Sequence, residues 1–540
     1  MKIRTVEKIF ALTGQEIEDY LALLEEQLTA IHTEKQNRLR LRLSLEEALL
    51  RLRDRFGETQ AVKALFKKHF NRLLIQLDAE GEPCNPLRDE EYEMEDMCGS
   101  LLTAVGISPQ YVYDGRRNTL RLQLPLPGMG PLVKLMIALL GGTALGLAGL
   151  YLLSDKALDA AIQTAVMPSM TIWRRILNVL SGPVIFFMTL TSVLNMGKIT
   201  ENGGNARRIV SRYFMISFQM AIISLAIAGG IFGMSVDGFY NADASVSFWD
   251  RVVQMIPKDF FSPFMESNTV QLLILAAVIG EALNMIGSHT RNLCRIIRQI
   301  NMVGLQLCEW ISRMLPYVTA VMLGMGIWQR TTTLLVGFVI CLVLAVAISV
   351  LCIGMTLIYI CRKKKLRIRQ LFSKLWEPFW LALKGGSLNA SYGKLEQSCA
   401  ADLGIQRSFL NSSLTNGMTL CMPVSSVGTM VLLAYFAVQY GTETSLIWHI
   451  GAILLSAVLF VATPPVPGAN LLAYVVTFAW LGIPGEVLID AMLFDITFGY
   501  FANAGNQMVL EMELILQADH IGMLDRKRLM APVKRQSAGY

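Results

Sequence analysis

Carboxylates, amides and hydroxyls embedded in apolar sequence are the residues of this chain best placed to do chemistry. Asp490 and Asp495 lie five apart in the last long apolar region. A charged side chain at bilayer depth costs at least about 2.5 kcal/mol and commonly serves an ion or proton pathway. Asp495 is the leading candidate for that role, whereas structural pairing or an interfacial position is the stronger account of Asp490. Asn503 and Asn506, beside Gly499 and Gly505, could contact an ion or a substrate; hydrogen bonding between helices through a small-residue face is the alternative. Asn389 and Ser391 stand where Gly385, Gly386 and Gly393 interrupt an apolar run, as polar groups at the tip of a chain reversal or as partners for its broken backbone. Ser425 and Ser426 offer lining hydroxyls just after Met422-Pro423, although Ser in a membrane helix often bonds back to its own carbonyls. Lys394 reads first as an interfacial, snorkelling lysine and second as a fixed positive charge at the reversal. His449, next to Trp448, reads as an interfacial residue.

What must hold these groups is a membrane body. The chain has 540 residues, 53% hydrophobic and 17% charged, and its character changes near residues 125–130. Beyond that boundary, apolar runs reach the roughly 20 residues needed to cross a bilayer. Candidate spans are 132–152, 167–196, 208–234, 267–287, 300–326, 333–360, 415–440 and 444–463. Segments 379–414 and 462–481 are broken by Gly and polar residues in the first and by Thr463-Pro464-Pro465-Val466-Pro467-Gly468 in the second. Unpaired backbone is tolerated at membrane depth only against protein or a polar cavity, so paired breaks point to a substrate site. The net charge of +6 is concentrated in links such as Arg362-Lys363-Lys364-Lys365, while 235–257 is acidic. That alternation predicts cytoplasmic termini and basic contacts to membrane lipids, and argues against nucleic acid. Met1-Lys2-Ile3-Arg4 leads into a charged stretch without an apolar core, so no cleavable signal peptide is expected.

Residues 1–129 read as a soluble cytoplasmic α+β domain with no chemistry of its own, for which sensing, assembly and regulation are the open roles. One or two amphipathic helices are expected over 14–56, a helix over 59–77, and a hairpin over 111–124 turning at Asp114-Gly115. Residues 130–523 form the membrane domain and 524–540 a basic tail. No catalytic triad, paired catalytic carboxylates, phosphate loop or metal spacing occurs, so an enzyme is not expected. The nine Cys follow no framework and read as free thiols, with no metal or other cofactor.

The membrane region resembles the dicarboxylate/amino-acid:cation symporter family, the glutamate-transporter type. The likeness covers roughly 131–520. It is carried by Val166-Met167-Pro168 with Gly182-Pro183-Val184-Ile185-Phe186, by Ile256-Pro257-Lys258-Asp259-Phe260, and by Ile279-Gly280-Glu281-Ala282. Asn389-Ala390-Ser391-Tyr392-Gly393-Lys394-Leu395 resembles the family's first re-entrant hairpin, and Pro464-Pro465-Val466-Pro467-Gly468-Ala469-Asn470 the second. The resemblance implies a mainly α-helical polytopic fold of eight transmembrane helices and two re-entrant hairpins. It further implies homotrimers, elevator-type movement and cation-coupled transport, with sodium ions as the cations. It places Asn389, Ser391, Ser425, Pro467, Gly468 and Asn503 at the substrate, and Met422, Asp495 and Asn506 in ion coupling.

The chain departs from the family where charge is expected. Cys421-Met422-Pro423-Val424-Ser425 stands in place of Asn-Met-Asp-Gly-Thr, keeping the Met and the break but losing a carboxylate. Counting from Asp495, Phe498 occupies the place of the substrate-contacting Arg, and Asn506 that of a second Asp. A small carboxylate or amino acid moved with sodium or protons is the expected activity. A transporter-like receptor signalling through residues 1–129, and an anion-conducting channel, are the alternatives.

Overall fold

The computed structural model describes residues 6–30, 35–69, 72–84, 86, 110–125, 130–201, 205–235, 253, 256–265, 268–328, 332–386, 391–459, 470, 474, 477–478, 480–484 and 487–531. The chain forms two compact units, Met1–Met129 and Gly130–Tyr540.

In the first unit, β1 (Val6–Ala11) leads into α1 (Gly14–Ala30) and α2 (Lys35–Phe56). Thr13 Oγ1 accepts from Glu16 N at 3.4 Å while the Glu16 carboxylate accepts from Ala11 N at 2.6 Å, a reciprocal arrangement that starts α1. Strands β2 (Ala61–His69), β3 (Arg72–Glu80), β4 (Gln110–Tyr113) and β5 (Arg117–Pro125) complete an antiparallel sheet of order β1-β2-β3-β5-β4. The helix expected over 59–77 is therefore a pair of strands. Val62, Ala64 and Phe66, then Leu73, Ile75, Leu77 and Ala79, alternate into the core with Leu120 and Leu122, a period of two that buries one sheet face. The strand β1 was not expected at all. Leu21, Leu24, Leu28, Leu41, Leu45, Leu49 and Leu52 from the helices close the core. The expected hairpin is present: Gly115 has φ 88°, and Asp114 Oδ1 accepts from Arg117 N at 2.8 Å and Arg116 N at 3.1 Å. Those two amides hold the Asp114 carboxyl below the usual carboxylate range.

The second unit is helical. Its helices include α3 (Pro131–Leu152), α4 (Met167–Glu201), α5 (Asn205–Phe232), α6 (Thr269–Ile286), α7 (Arg291–Trp328), α8 (Thr332–Lys364), α9 (Ile368–Gly385) and α10 (Tyr392–Gln397). After a π-helical turn, Ser398–Asp402, come α11 (Arg407–Leu420), α12 (Pro423–Gln439), α13 (Leu446–Leu459) and α14 (Leu488–Ile521). Among the described residues, four helical stretches, Pro131–Leu152, Arg208–Phe232, Val336–Lys364 and Gly417–Gln439, are long and apolar enough to cross a bilayer; the bent pair Arg291–Cys308 and Arg313–Trp328 adds a fifth. Apolar Val133, Met136, Ile137 and Leu140 of α3 and Val339, Val343 and Val350 of α8 are exposed, as a multi-pass membrane protein requires. Close helix contact follows small residues: a Cβ on Gly142 of α3 would lie 2.6 Å from Ala320 O of α7, and one on Gly146 2.8 Å from Ile327. The last apolar region, with Asp490 and Asp495, is one uninterrupted helix, α14.

Candidate functional site

Pro423 sets the centre of the site. It has no N–H, and its ring cannot sit inside a helix without losing a backbone bond. The chain accordingly leaves helical geometry at Cys421 (φ −96°, ψ 84°) and Met422 (φ −118°, ψ 45°), and α12 restarts with Pro423 in its first turn. A helix start leaves N–H groups without intrahelical acceptors. Here the acceptor is Asn506 of α14, whose Oδ1 takes Val424 N at 2.8 Å and Ser425 N at 3.4 Å. Since a backbone N–H only donates, this pairing fixes which end of the amide is oxygen. The amide Nδ2 then donates to Ser425 Oγ at 2.9 Å and to Met422 Sδ at 3.2 Å. Asn506, Met422 and Ser425 are all buried. Gly505 allows this approach, since a Cβ there would lie 3.0 Å from Val424 Cγ2.

The same helix reaches both interrupted segments. Asn503 Nδ2 donates to Gly386 O at 3.0 Å, where the left-handed Gly386 (φ 66°) ends α9. Four residues on, Gln507 Oε1 accepts from Ser391 Oγ at 2.5 Å. Nearer its start, α14 presents Asp495 to the second segment: the carboxylate accepts from Asn470 N at 3.2 Å, Asn470 Nδ2 at 2.8 Å and Tyr474 OH at 3.3 Å. Asp495 is 1% exposed. One continuous helix thus bonds to the broken helix through Asn506, to Gly386 and Ser391 through Asn503 and Gln507, and to Asn470 and Tyr474 through Asp495.

The aromatic at 498 lies against the broken helix. Phe498 is buried and stacked on Phe494, with ring centroids 5.2 Å apart. A Cβ on Gly428 of α12 would lie 2.4 Å from Phe498 Cε1. The surface that a cationic side chain from α14 would occupy is therefore hydrocarbon.

Of the residues singled out from sequence, Met422, Ser425 and Asn506 come together directly. Asn503, Ser391 and Asp495 meet other partners along α14. Asn389, Pro467 and Gly468 lie outside the described residues. Ser426 donates back to Met422 O at 3.3 Å, the local alternative, and does not bond across to α14. Lys394 pairs with Glu377 of α9 at 3.0 Å, so its charge is committed to that helix. His449 Nδ1 lies 2.8 Å from Ser445 O. Sequence reasoning missed Gln507, Asn470 and Tyr474. Gln507 had a usable signal, since it follows Asn503 by one i,i+4 step on the same face. Asn470 and Tyr474 had none, because their role depends on where the chain returns. Among the described residues, no group of three His, Cys, Asp or Glu side chains is placed to hold a metal ion.

Comparison with known proteins agrees with this geometry. Residues 132–509 match the model of the sodium:dicarboxylate symporter family. A C4-dicarboxylate transport protein 2 of Ralstonia nicotianae is 22% identical over 355 residues, covering 62% of this chain and 78% of that protein. The C4-dicarboxylate transport protein 1 of the same organism is 26% identical over 159 residues, 26% of this chain and 36% of that protein. The C4-dicarboxylate transport protein of Cupriavidus pinatubonensis is 19% identical over 331 residues, 58% of this chain and 77% of its own. A family match across most of the chain, centred on a helical body with two interrupted segments and a broken helix, shows that the chain belongs to the sodium:dicarboxylate symporter family.

Proposed function

We propose that the chain is a secondary transporter of a small solute bearing a single carboxylate, a monocarboxylate or a neutral amino acid, coupled to a sodium or proton gradient. The observation that carries this reading is the broken helix at Cys421 and Met422, held open by Asn506 in a buried setting. Interrupted helices of transporters expose amide and carbonyl ends that recognise carboxylates and cations. The family relatives are named for C4-dicarboxylates; the preference here differs because Phe498, not a guanidinium, faces α12, so a second carboxylate meets no cation from α14 at that position. Substrate contacts fall to Ser391, Ser425 and Asn503, with Asn389, Pro467 and Gly468 at the reversal tips.

Ion coupling centres on Asp495. At the Met422–Ser425 position the Asn506 amide points donors where a cation needs acceptors, which argues for fewer bound sodium ions than a site with a carboxylate there. We further propose eight transmembrane helices with two re-entrant hairpins, homotrimeric assembly, elevator-type movement, and a cytoplasmic domain over 1–129. Uptake into proteoliposomes, with monocarboxylates, neutral amino acids and C4-dicarboxylates under separately imposed sodium and proton gradients, tests the reading. Gradient-driven accumulation of a monocarboxylate or neutral amino acid is expected. Preferential C4-dicarboxylate uptake would overturn the substrate assignment. Specific binding without flux would favour the second reading, a receptor acting through residues 1–129, which the separately cored first unit supports.

A further inference from the structure

Far along α14 from Asp495, three helix ends enclose a second polar feature. Arg208, Ile209 and Arg212 from the start of α5, Lys363 and Lys364 from the end of α8, and Asp519 and His520 from the end of α14 line a cavity of about 270 Å³. Its charges do not cancel. Arg212 is committed to Glu513, with contacts of 2.8–3.0 Å, and Lys364 to Asp519, which also holds Arg526 at 2.8 Å. Arg208 and Lys363 make no ion pair with any described carboxylate; Lys363 donates only to Tyr359 OH at 3.2 Å, over whose ring it sits. Two cations without an ion pair among the described residues therefore face a cavity whose one lining acid already serves two others.

Outside the cavity, Met355 and Tyr359 lie at i,i+4 steps before Lys363 on one face of α8. Met355, Ile358 and Tyr359 of α8, in the turns leading to Lys363, are exposed. A ligand seated here finds positive charge at the helix ends and hydrocarbon along the helix. At about 30 Å³ per liquid water, the cavity takes a group several times larger than a water molecule. From the charge, the volume and the adjoining apolar face, we propose that this is a binding site for an anionic phospholipid, its headgroup phosphate held by Arg208 and Lys363 and its acyl chain along α8. Basic pockets between membrane helices bind acidic headgroups by the same electrostatics. The proposal is independent of the transport reading, since its readout involves no flux.

Native mass spectrometry of the full-length protein released from mixed phosphatidylglycerol and phosphatidylcholine nanodiscs tests it. The wild type is expected to retain phosphatidylglycerol in preference to phosphatidylcholine, and the R208A/K363A double variant to lose roughly thirtyfold in that preference, about 1 kcal/mol per basic residue. Rising salt should weaken retention by the wild type, a readout that stands even if the double variant does not fold. Equal retention of the two lipids, unchanged retention by the folded variant, or salt-insensitive retention would overturn the proposal. Inorganic pyrophosphate provides the remaining arm. Failure to displace the lipid is expected; full displacement with equal thermal stabilisation would assign the cavity to a soluble phosphate and overturn the lipid assignment.

Discussion

An asparagine at 506 does two things at once: it accepts from the start of α12 and donates to Met422 and Ser425. An aspartate could keep the first and reverse the second. Asn506→Ala removes the acceptor and leaves buried Val424 N–H and Ser425 N–H unpaired, which should cost about 1–3 kcal/mol. It is read as a lowered thermal midpoint in detergent. Asn506→Asp should retain most of that stability, because the carboxylate still accepts from both amides near a helix N-terminus, where negative charge is favoured. Its other oxygen would then face Met422 Sδ and Ser425 Oγ as an acceptor. Uptake by Asn506→Asp should rise with external sodium more steeply than wild-type uptake; identical sodium dependence in the two would remove Asn506 from the cation pathway. Position 498 bears on the same question from the substrate side, since its ring fills the space beside Gly428 that a long cationic side chain would need.

At the scale of elements, α14 is the part that the other pieces are measured against, and its far half tests this with a single pair. Glu513 is 3% exposed and accepts a two-pronged contact from Arg212 of α5. Arg212→Ala strands that carboxylate. A fully buried pair loses about 3–5 kcal/mol when one partner goes, and roughly 2–3 kcal/mol is expected here because Arg212 is partly open to solvent. Glu513→Gln should restore much of the loss in the Arg212→Ala background, and thermal melting of the single and double variants checks both statements. The legible and illegible elements separate along similar lines. The break before α12 could be read from Pro423 because proline acts through its own missing N–H, a local cause. The strands at 61–69 and 72–80 were misread because Leu65, Leu74 and charged residues blur the alternation, which becomes plain only once β5 supplies the partner face. Gln507 and Ser391 are 116 residues apart, so their bond follows from the tertiary placement of Ser391 against α14, and no local pattern encodes that placement. The residue types at the site were legible; most of their pairings belong to the tertiary fold.

Taken whole, the molecule joins a sheet-and-helix unit to a helical membrane body, and each has a core of its own. In Met1–Met129 the inward faces of the strands close against leucines of α1 and α2 in a buried cluster. The membrane body is likewise held by contacts internal to it, from the Gly142–Ala320 approach to the bonds that α14 makes. Units with separate cores unfold as separate transitions unless an interface couples them. Deleting residues 1–129 should therefore leave the thermal midpoint of the membrane unit unchanged, while residues 1–129 expressed alone should show mixed helix and strand by circular dichroism and melt cooperatively. The deletion also separates the two functional readings. A transporter whose first unit is regulatory keeps gradient-driven uptake in the truncated form, with its rate or its response to conditions altered. A receptor that signals through the first unit would bind solute without accumulating it in either form. Truncated protein that folds, binds and fails to transport, beside full-length protein that transports, would make the first unit part of the transport machinery and rule out a purely regulatory role.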